Sequence, residues 1–219
     1  MSQVHDLIAT MCPDGVEHRP LGELGEFIRG RRFTKSDYVD AGLGTIHYGE
    51  IYTDYGTTAS SVHRFVSPEL KGSLRLARQG DLIIAATGEN VEDVCKAVAW
   101  LGEDEVAVHD DCYIFRHSLD PTFAAYIFQT PAFREQKVRL ASESKLARVS
   151  GANLARIVVP APPRAVQVEI VRILNAFGAL QAELEAELRA RREQFVHYRD
   201  SLFAFDSSLS LSRRASGGK

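Results

Sequence analysis

The 219-residue sequence has little of what most catalytic signatures need. Its three cysteines, Cys12, Cys95 and Cys112, form no CxxC pair and no even framework. That pattern points to a reducing compartment and supplies no thiolate metal site. The run ATGEN at 86–90 lacks the Gly-Lys-Ser/Thr of a P-loop, so no lysine is placed to meet a phosphate chain. No apolar stretch approaches the ~18 residues that span a bilayer. The N-terminus has no positive start followed by an apolar core, so the expected location is cytoplasmic, with no membrane partner. No sign of charge dominates: 26 Lys/Arg stand against 29 Asp/Glu, for a net of −3. Residues 1–160 hold 17 cations against 22 acids. An anionic partner would therefore have to be met by a local patch rather than a global field. There is no internal repeat. The single tryptophan, Trp100, lies in an apolar run and is assigned to the core.

What the chain has in abundance is helical periodicity near its end. From about Ala165 to Phe205, apolar residues recur at Ile170, Ile173, Phe177, Leu180 and Leu184, then at Leu188, Phe195, Tyr198, Leu202 and Phe205. Steps of three and four make one apolar seam on a helix. Two steps of four meet at Leu184, which reads as a stutter in a coiled coil. Only Gly178 and no proline interrupt the stretch. About 40 residues at ~1.5 Å each give a rod of roughly 60 Å. Glu183, Glu185, Glu187, Arg189, Arg191, Arg192 and Glu193 belong to the opposite, solvated face. Such a seam needs a second helix, from another chain or another copy of this one. The implied division is a head at 1–160, the helix at 161–206, and a low-complexity tail at 207–219 that is expected to be disordered.

The head reads as mixed α and β. A short helix is expected before the Pro13-Asp14-Gly15 turn. The segment 21–30 mixes strand and turn signals and opens into a basic cluster. Residues 45–56 read as a strand followed by a glycine-bounded, tyrosine-rich loop, and 62–66 as another strand. A buried strand is expected over 82–86, then three short strands within 96–117, broken at 102–104 and at Asp110-Asp111. Asp120-Pro121 predicts an N-cap and first helical residue, with Phe123, Ile127 and Phe128 inward. A second short helix comes after Pro131. Residues 141–153 read as a polar loop and 156–160 as a strand, stopped by Pro160, Pro162 and Pro163.

Several clusters carry possible chemistry. Arg29, Arg31, Arg32 and Lys35 suit phosphates and the O6/N7 edge of guanine, or form a solvated charge cluster. Tyr52, Tyr55, Thr57 and Thr58 could hold phosphates or meet a thymine methyl. Within that segment Tyr48 is expected in the core and Tyr55 at the surface. Thr87, Glu89 and Asn90 come after a buried strand: Asn pairs with adenine and Glu accepts from cytosine, while a capped turn is the alternative. Ser142, Ser144, Lys145 and Arg148 fit a phosphate clamp or a mobile loop. His109, Asp110, Asp111 and Cys112 offer ligand types for a metal, but consecutive strand residues point to opposite faces. A tight turn is the preferred reading there, and no metal site is assigned. Glu143 and Lys145, with Asp120 as an acidic partner, loosely match a metal-dependent nuclease.

Longer phrases carry a resemblance: LGELGEFIRG (21–30), HYGEIYTDYG (47–56), GDLIIAATGENVEDVCKAVAWLG (80–102), VAVHDDCYIFRH (106–117), ASESKLARVSGANLARIVVPAPP (141–163), and the helix entry from Gln167 to Leu174. Together these resemble the specificity subunit of type I restriction–modification systems, over about residues 7–205. In that family, target-recognition domains alternate with long helical conserved regions, two of each in a full subunit. One of each is present here, so the chain looks like a half-length subunit. At the helix entry Val166 stands where the family usually has an acidic residue. The resemblance implies an α+β target-recognition domain followed by a long helix that forms an antiparallel coiled coil with a second chain. It implies a non-catalytic, DNA-binding subunit. Separate modification subunits would use S-adenosylmethionine to methylate adenine, and restriction subunits would supply an ATP- and Mg-dependent motor and nuclease. No Asn-Pro-Pro-aromatic run, the usual mark of amine methylation, occurs here.

Expected partners are double-stranded DNA, the modification and restriction subunits, and a second copy or another half-subunit. A homodimer would read two inverted half-sites around a spacer, and a heterodimer an asymmetric target. No cofactor and no catalytic residue are assigned to this chain. Two rivals belong to other classes: a small nuclease using Glu143 and Lys145, and a coiled-coil scaffold whose head binds no DNA.

Overall fold

A computed structural model describes residues 2–89, 91, 93–141 and 147–204. Phe205, the expected tail, Asn90, Ser142, Glu143, Ser144 and Lys145 lie outside them. The chain begins with α1 (Ser2–Met11), β1 (His18–Pro20), α2 (Leu21–Leu24), β2 (Gly25–Arg29), β3 (Tyr38–Val39) and β4 (Leu43–Ile46). Then come α3 (Tyr48–Thr53), β5 (Thr58–Ala59), β6 (Arg64–Val66), β7 (Leu76–Ala77), β8 (Leu82–Ala85) and β9 (Thr87–Gly88). Next are β10 (Ala97–Trp100), β11 (Val106–Val108), β12 (Cys112–His117), α4 (Pro121–Ile127) and α5 (Pro131–Leu140). The last elements are β13 (Ala147–Arg148), α6 (Gly151–Ala155), β14 (Val158–Pro160) and α7 (Arg164–Phe203). The architecture is a mixed α+β domain followed by a long helix.

Two five-stranded sheets build the head, in the orders β2-β12-β8-β10-β5 and β3-β6-β4-β11-β7. Their pairings are antiparallel except β5 with β10 and β4 with β11. The period of two along each strand explains the layering. In β8, Leu82 and Ile84 face one cluster while Ile83 and Ala85 face another. β10 divides the same way: Ala97 and Ala99 on one side, Val98 and Trp100 on the other. The first cluster also takes Leu24 of α2, Phe123 and Ile127 of α4, Phe133 of α5 and Leu154 of α6. The second takes Ile46, Val106 and Val108 from the other sheet. The first sheet is thus sandwiched between helices and a second sheet. That is why its central strands are continuous apolar runs rather than alternating ones. Trp100 is buried and its Nε1 donates to the Asp104 carbonyl at 2.8 Å.

Local caps set the helices. Asp120 Oδ1 accepts from Phe123 N at 2.9 Å, with Pro121 as the first helical residue. Phe123, Ile127 and Phe128 are buried, as the sequence predicts. Residues 48–53, expected as a loop, are instead a helix. His47 N donates to Glu50 Oε2 at 2.7 Å while Gly49 N donates to His47 Nδ1 at 3.2 Å, a capping box with histidine in the usual Ser/Thr place. Part of the stretch expected as a polar loop also has structure: β13 pairs with β9, and Ser150 caps α6.

By its contacts the chain divides into 1–171 and 172 onward. The first turns of α7 therefore belong to the head. Val166 is buried there, and Gln167 is held at both ends of its amide: Asp120 N donates to its Oε1, and its Nε2 donates to the Pro162 carbonyl, each at 2.7 Å. No helix among the described residues is long and apolar enough to cross a membrane.

Candidate functional site

β2 ends in Arg29, and the residue after it sets the path of the basic segment. A Cβ on Gly30 would lie 2.1 Å from the His109 carbonyl, so only glycine allows this approach. Gly30 N then donates to Cys112 O at 3.0 Å and Arg31 N to Val108 O at 2.9 Å. The basic segment is thereby fixed to the turn between β11 and β12. Arg29 Nε donates to the Asp110 carbonyl at 2.9 Å. Phe33 is buried and packs edge-on against His109, centroids 4.9 Å apart, and against Tyr38 at 5.9 Å. Asp37 closes the next turn by accepting from Thr34 N at 2.6 Å, which holds its carboxyl below the usual range. Lys35 stands exposed on that turn.

These elements wall a cleft of about 630 Å³. Five cations line it, Arg29, Arg32, Lys35, Arg64 and Arg148, against Asp110 and Asp111. The cations are thus concentrated locally on a head whose sequence is net negative. Four of its cations stand out in the sequence. Arg64, alone on β6, does not, and neither does His47, which has the look of a strand residue.

The cleft floor is histidine. His109 is buried, and its ring lies 4.4 Å from that of His47. Burial, then the neighbouring His109, pushes His47 down to about 4, so it is neutral at pH 7. Asp111 N donates to His109 Nδ1 at 3.3 Å, and Thr87 Oγ1 donates to Asp111 Oδ1 at 3.3 Å. His47, His109 and Asp111 offer one ligand atom each within 4.8 Å of one another. Both Nδ1 atoms already accept backbone N–H groups, and five cations line the same cleft. The histidine pair and Asp111 form a hydrogen-bonded wall of this cation-lined cleft. Cys112 does not join it: it is buried between the sheets, where desolvation raises its thiol well above the usual range.

The other anticipated residues divide. Thr87 lies under the cleft through its bond to Asp111, and Glu89 is exposed beyond it. Arg31 is exposed but does not line the cleft. Tyr52 Oη donates to the Thr87 carbonyl at 3.0 Å, and burial raises its pKa. Tyr55, expected at the surface, is buried, accepts from His63 N at 3.3 Å, and is pushed up to about 12 by desolvation. Both hydroxyls serve the fold, because α3 turns the segment inward. Tyr48 is half-buried against the core. Thr57 Oγ1 accepts from Gln129 Nε2 at 3.2 Å, and Thr58 is exposed on β5. Asp120 is engaged as a cap and by Arg164 at 3.0 Å, while Glu143 and Lys145, its anticipated nuclease partners, lie outside the described residues.

On α7 the seam is open in this single chain. Phe177, Leu180, Leu184, Leu188, Phe195, Tyr198 and Leu202 are exposed, from 50% for Leu180 to 75% for Leu202. Phe177, Leu180, Leu184 and Leu188 border a shallow apolar groove of about 410 Å³. Between Leu188 and Phe195 the stripe is crossed by Arg191, paired with Glu187 at 3.6 Å. Ile173 is half-buried. Ile170, anticipated in the seam, instead packs on the head's own core.

Comparison with known proteins points the same way. Residues 13–193 match the model of the type I restriction modification DNA specificity domain. The specificity subunit of the type I restriction enzyme EcoR124I/EcoR124II from Escherichia coli is 45% identical over 62 residues, covering 26% of this chain and 15% of that protein. The HsdS subunit from Thermoanaerobacter tengcongensis shares the fold at TM-score 0.56 and 16% identity, over 85% of this chain and 45% of that one. The type I restriction–modification S subunit from M. genitalium does so at 0.51 and 14%, over 88% and 46%. A chain from a structure of type I R-M system assembly and conformational transition does so at 0.58 and 19%, over 91% and 50%. The chain thus spans about half the length of these solved structures. A family model over most of the sequence, and a shared fold of sheet head and long helix, lead to one conclusion: the chain belongs to the type I restriction modification DNA specificity domain family.

Proposed function

We propose that the chain is a DNA-reading specificity subunit that carries no chemistry of its own. The observation that carries this is the cleft in which Arg29, Arg32, Lys35, Arg64 and Arg148 converge on a head that is otherwise net negative. Guanidinium and ammonium groups concentrated this way attract phosphates and present donors to base edges. The exposed seam of α7 is the dimerising surface, pairing antiparallel with the same helix of a second copy or of another half-subunit. Two heads at the ends of such a pair would read a bipartite target, palindromic for identical heads. Modification subunits bearing S-adenosylmethionine, and restriction subunits using ATP and Mg, supply the reactions. The modified adenine leaves the stack into the partner's pocket.

The test is binding of labelled duplex DNA by the full chain together with its modification subunits. Reversing Arg32→Glu and Lys35→Glu should weaken binding to all duplexes by at least about tenfold, since two attractive phosphate contacts become repulsive. The melting temperature should stay unchanged, because both side chains are exposed. Unaltered DNA affinity in the double reversal would remove the cleft from the interface and favour the scaffold reading.

A further inference from the structure

We infer that Arg64 is the base-reading arginine of the cleft, and that its base is guanine; this rests on the DNA-reading function proposed above. The inference starts from a buried carboxylate. Glu50 is 4% exposed, and burial pushes its carboxyl up. Its Oε2 accepts from His47 N at 2.7 Å, closing the cap of α3. Its Oε1 has no hydrogen-bond partner, and Arg64 Nε lies 3.3 Å away as a charge contact. The Arg64 side chain is itself 57% exposed, with its Cζ 5.6 Å from the centre of the Tyr38 ring. The guanidinium thus lies between a buried, cap-bound carboxylate and an aromatic ring. It rises from strand β6, where Arg64 pairs with Thr45 of β4. Sites on strands hold geometry better than sites on loops.

Two consequences separate Arg64 from the other cations. Its Nε lies nearest Glu50 and the group also meets Tyr38, while the rest of the guanidinium is open to the cleft. Two parallel N–H groups match O6 and N7 of guanine in the major groove. Its charge is also matched by Glu50, so it adds little to the counterion release that drives non-specific binding. Exposed Arg32 and Lys35 are the phosphate-type cations of the cleft. Arg64 is the directional one, and Glu50 is its positioning residue.

The experiment selects bound sequences from a randomised duplex library, using the full chain assembled with its modification subunits, and repeats the selection with variants. The wild type should enrich a motif that contains guanine. Arg64→Gln should lose the preference for one guanine by roughly ten- to hundredfold. The other positions, and the slope of affinity against salt, should stay as they were. Glu50→Gln keeps an acceptor for the His47 cap and leaves the Arg64 charge unmatched, so it should narrow the same preference while raising non-target affinity and steepening the salt slope. Arg32→Gln should instead lower affinity for every sequence and reduce the salt slope by about one. If Arg64→Gln alone does not fold, the Arg64→Gln/Glu50→Gln pair carries the test with no buried charge unmatched. Retention of the full guanine preference in these variants would overturn the assignment. So would an even loss across all sequences with a shallower slope, which would make Arg64 a phosphate contact. A wild type that enriches no sequence would defeat the DNA-reading function itself, before any variant is compared.

Discussion

At His117 the effect of burial can be followed to a measurable quantity. The ring packs at a tilt against Phe115 with centroids 4.8 Å apart. Burial pushes its pKa to about 4, against the pull of Asp81. Unfolded histidine titrates near 6.5. The unfolded chain therefore takes up the proton first, and the stability present above pH 6.5 is lost as pH falls toward 4. Between pH 7.5 and 5 the loss from this residue is about 2 kcal/mol, and His47 adds in the same direction. Denaturant melts at the two pH values should show it, and His117→Phe should show a smaller difference. An equal loss in the variant would acquit His117. Individual residues are legible where they sit together in sequence: Arg29, Arg32 and Lys35 announce themselves. Arg64 and Glu50 do not, because a strand pairing and a buried carboxylate, not proximity in the chain, bring them to the cleft.

Among the elements, α7 is the most readable, because its seam repeats over many turns and owes nothing to the rest of the fold. The six-residue α3 is the least. It holds Gly49 early and is capped by a histidine, so neither propensity nor a familiar cap marks it, and its tyrosines have the pattern of loop residues. Ile170 shows a related limit: periodicity gives the face of a helix, but not which partner covers each turn. The exposed part of the seam makes its own prediction. Burying a leucine is worth about 1.5–3 kcal/mol. Leu184→Glu with Leu188→Glu should therefore weaken self-association by more than about a hundredfold. Sedimentation equilibrium should find a monomer whose circular dichroism still shows a folded head. A variant that keeps the wild-type mass would place the interface elsewhere.

For the whole molecule, the charge distribution sets how binding responds to salt. The cleft holds five cations, and one is matched by Glu50. At about 0.9 released counterions per neutralised phosphate, the slope of log affinity against log salt should stay near −4 per head or shallower. Fluorescence anisotropy across a salt series measures it. A slope of roughly −9 per head, the value for about ten phosphates, would require contacts well outside the cleft.

The small ladder between β1 and β14 has a consequence for how such a molecule can change over generations. His18 lies opposite Pro160, and Pro20 opposite Val158. The polypeptide therefore enters and leaves the segment 21–157 at adjoining points. Everything between, residues 21–157, hangs from that ladder as a loop closed at its neck. A foreign segment with the same neck could be spliced in by a single recombination at each end, without rerouting the flanking backbone. A new head would then arrive as a cassette, with the flanking chain unaltered.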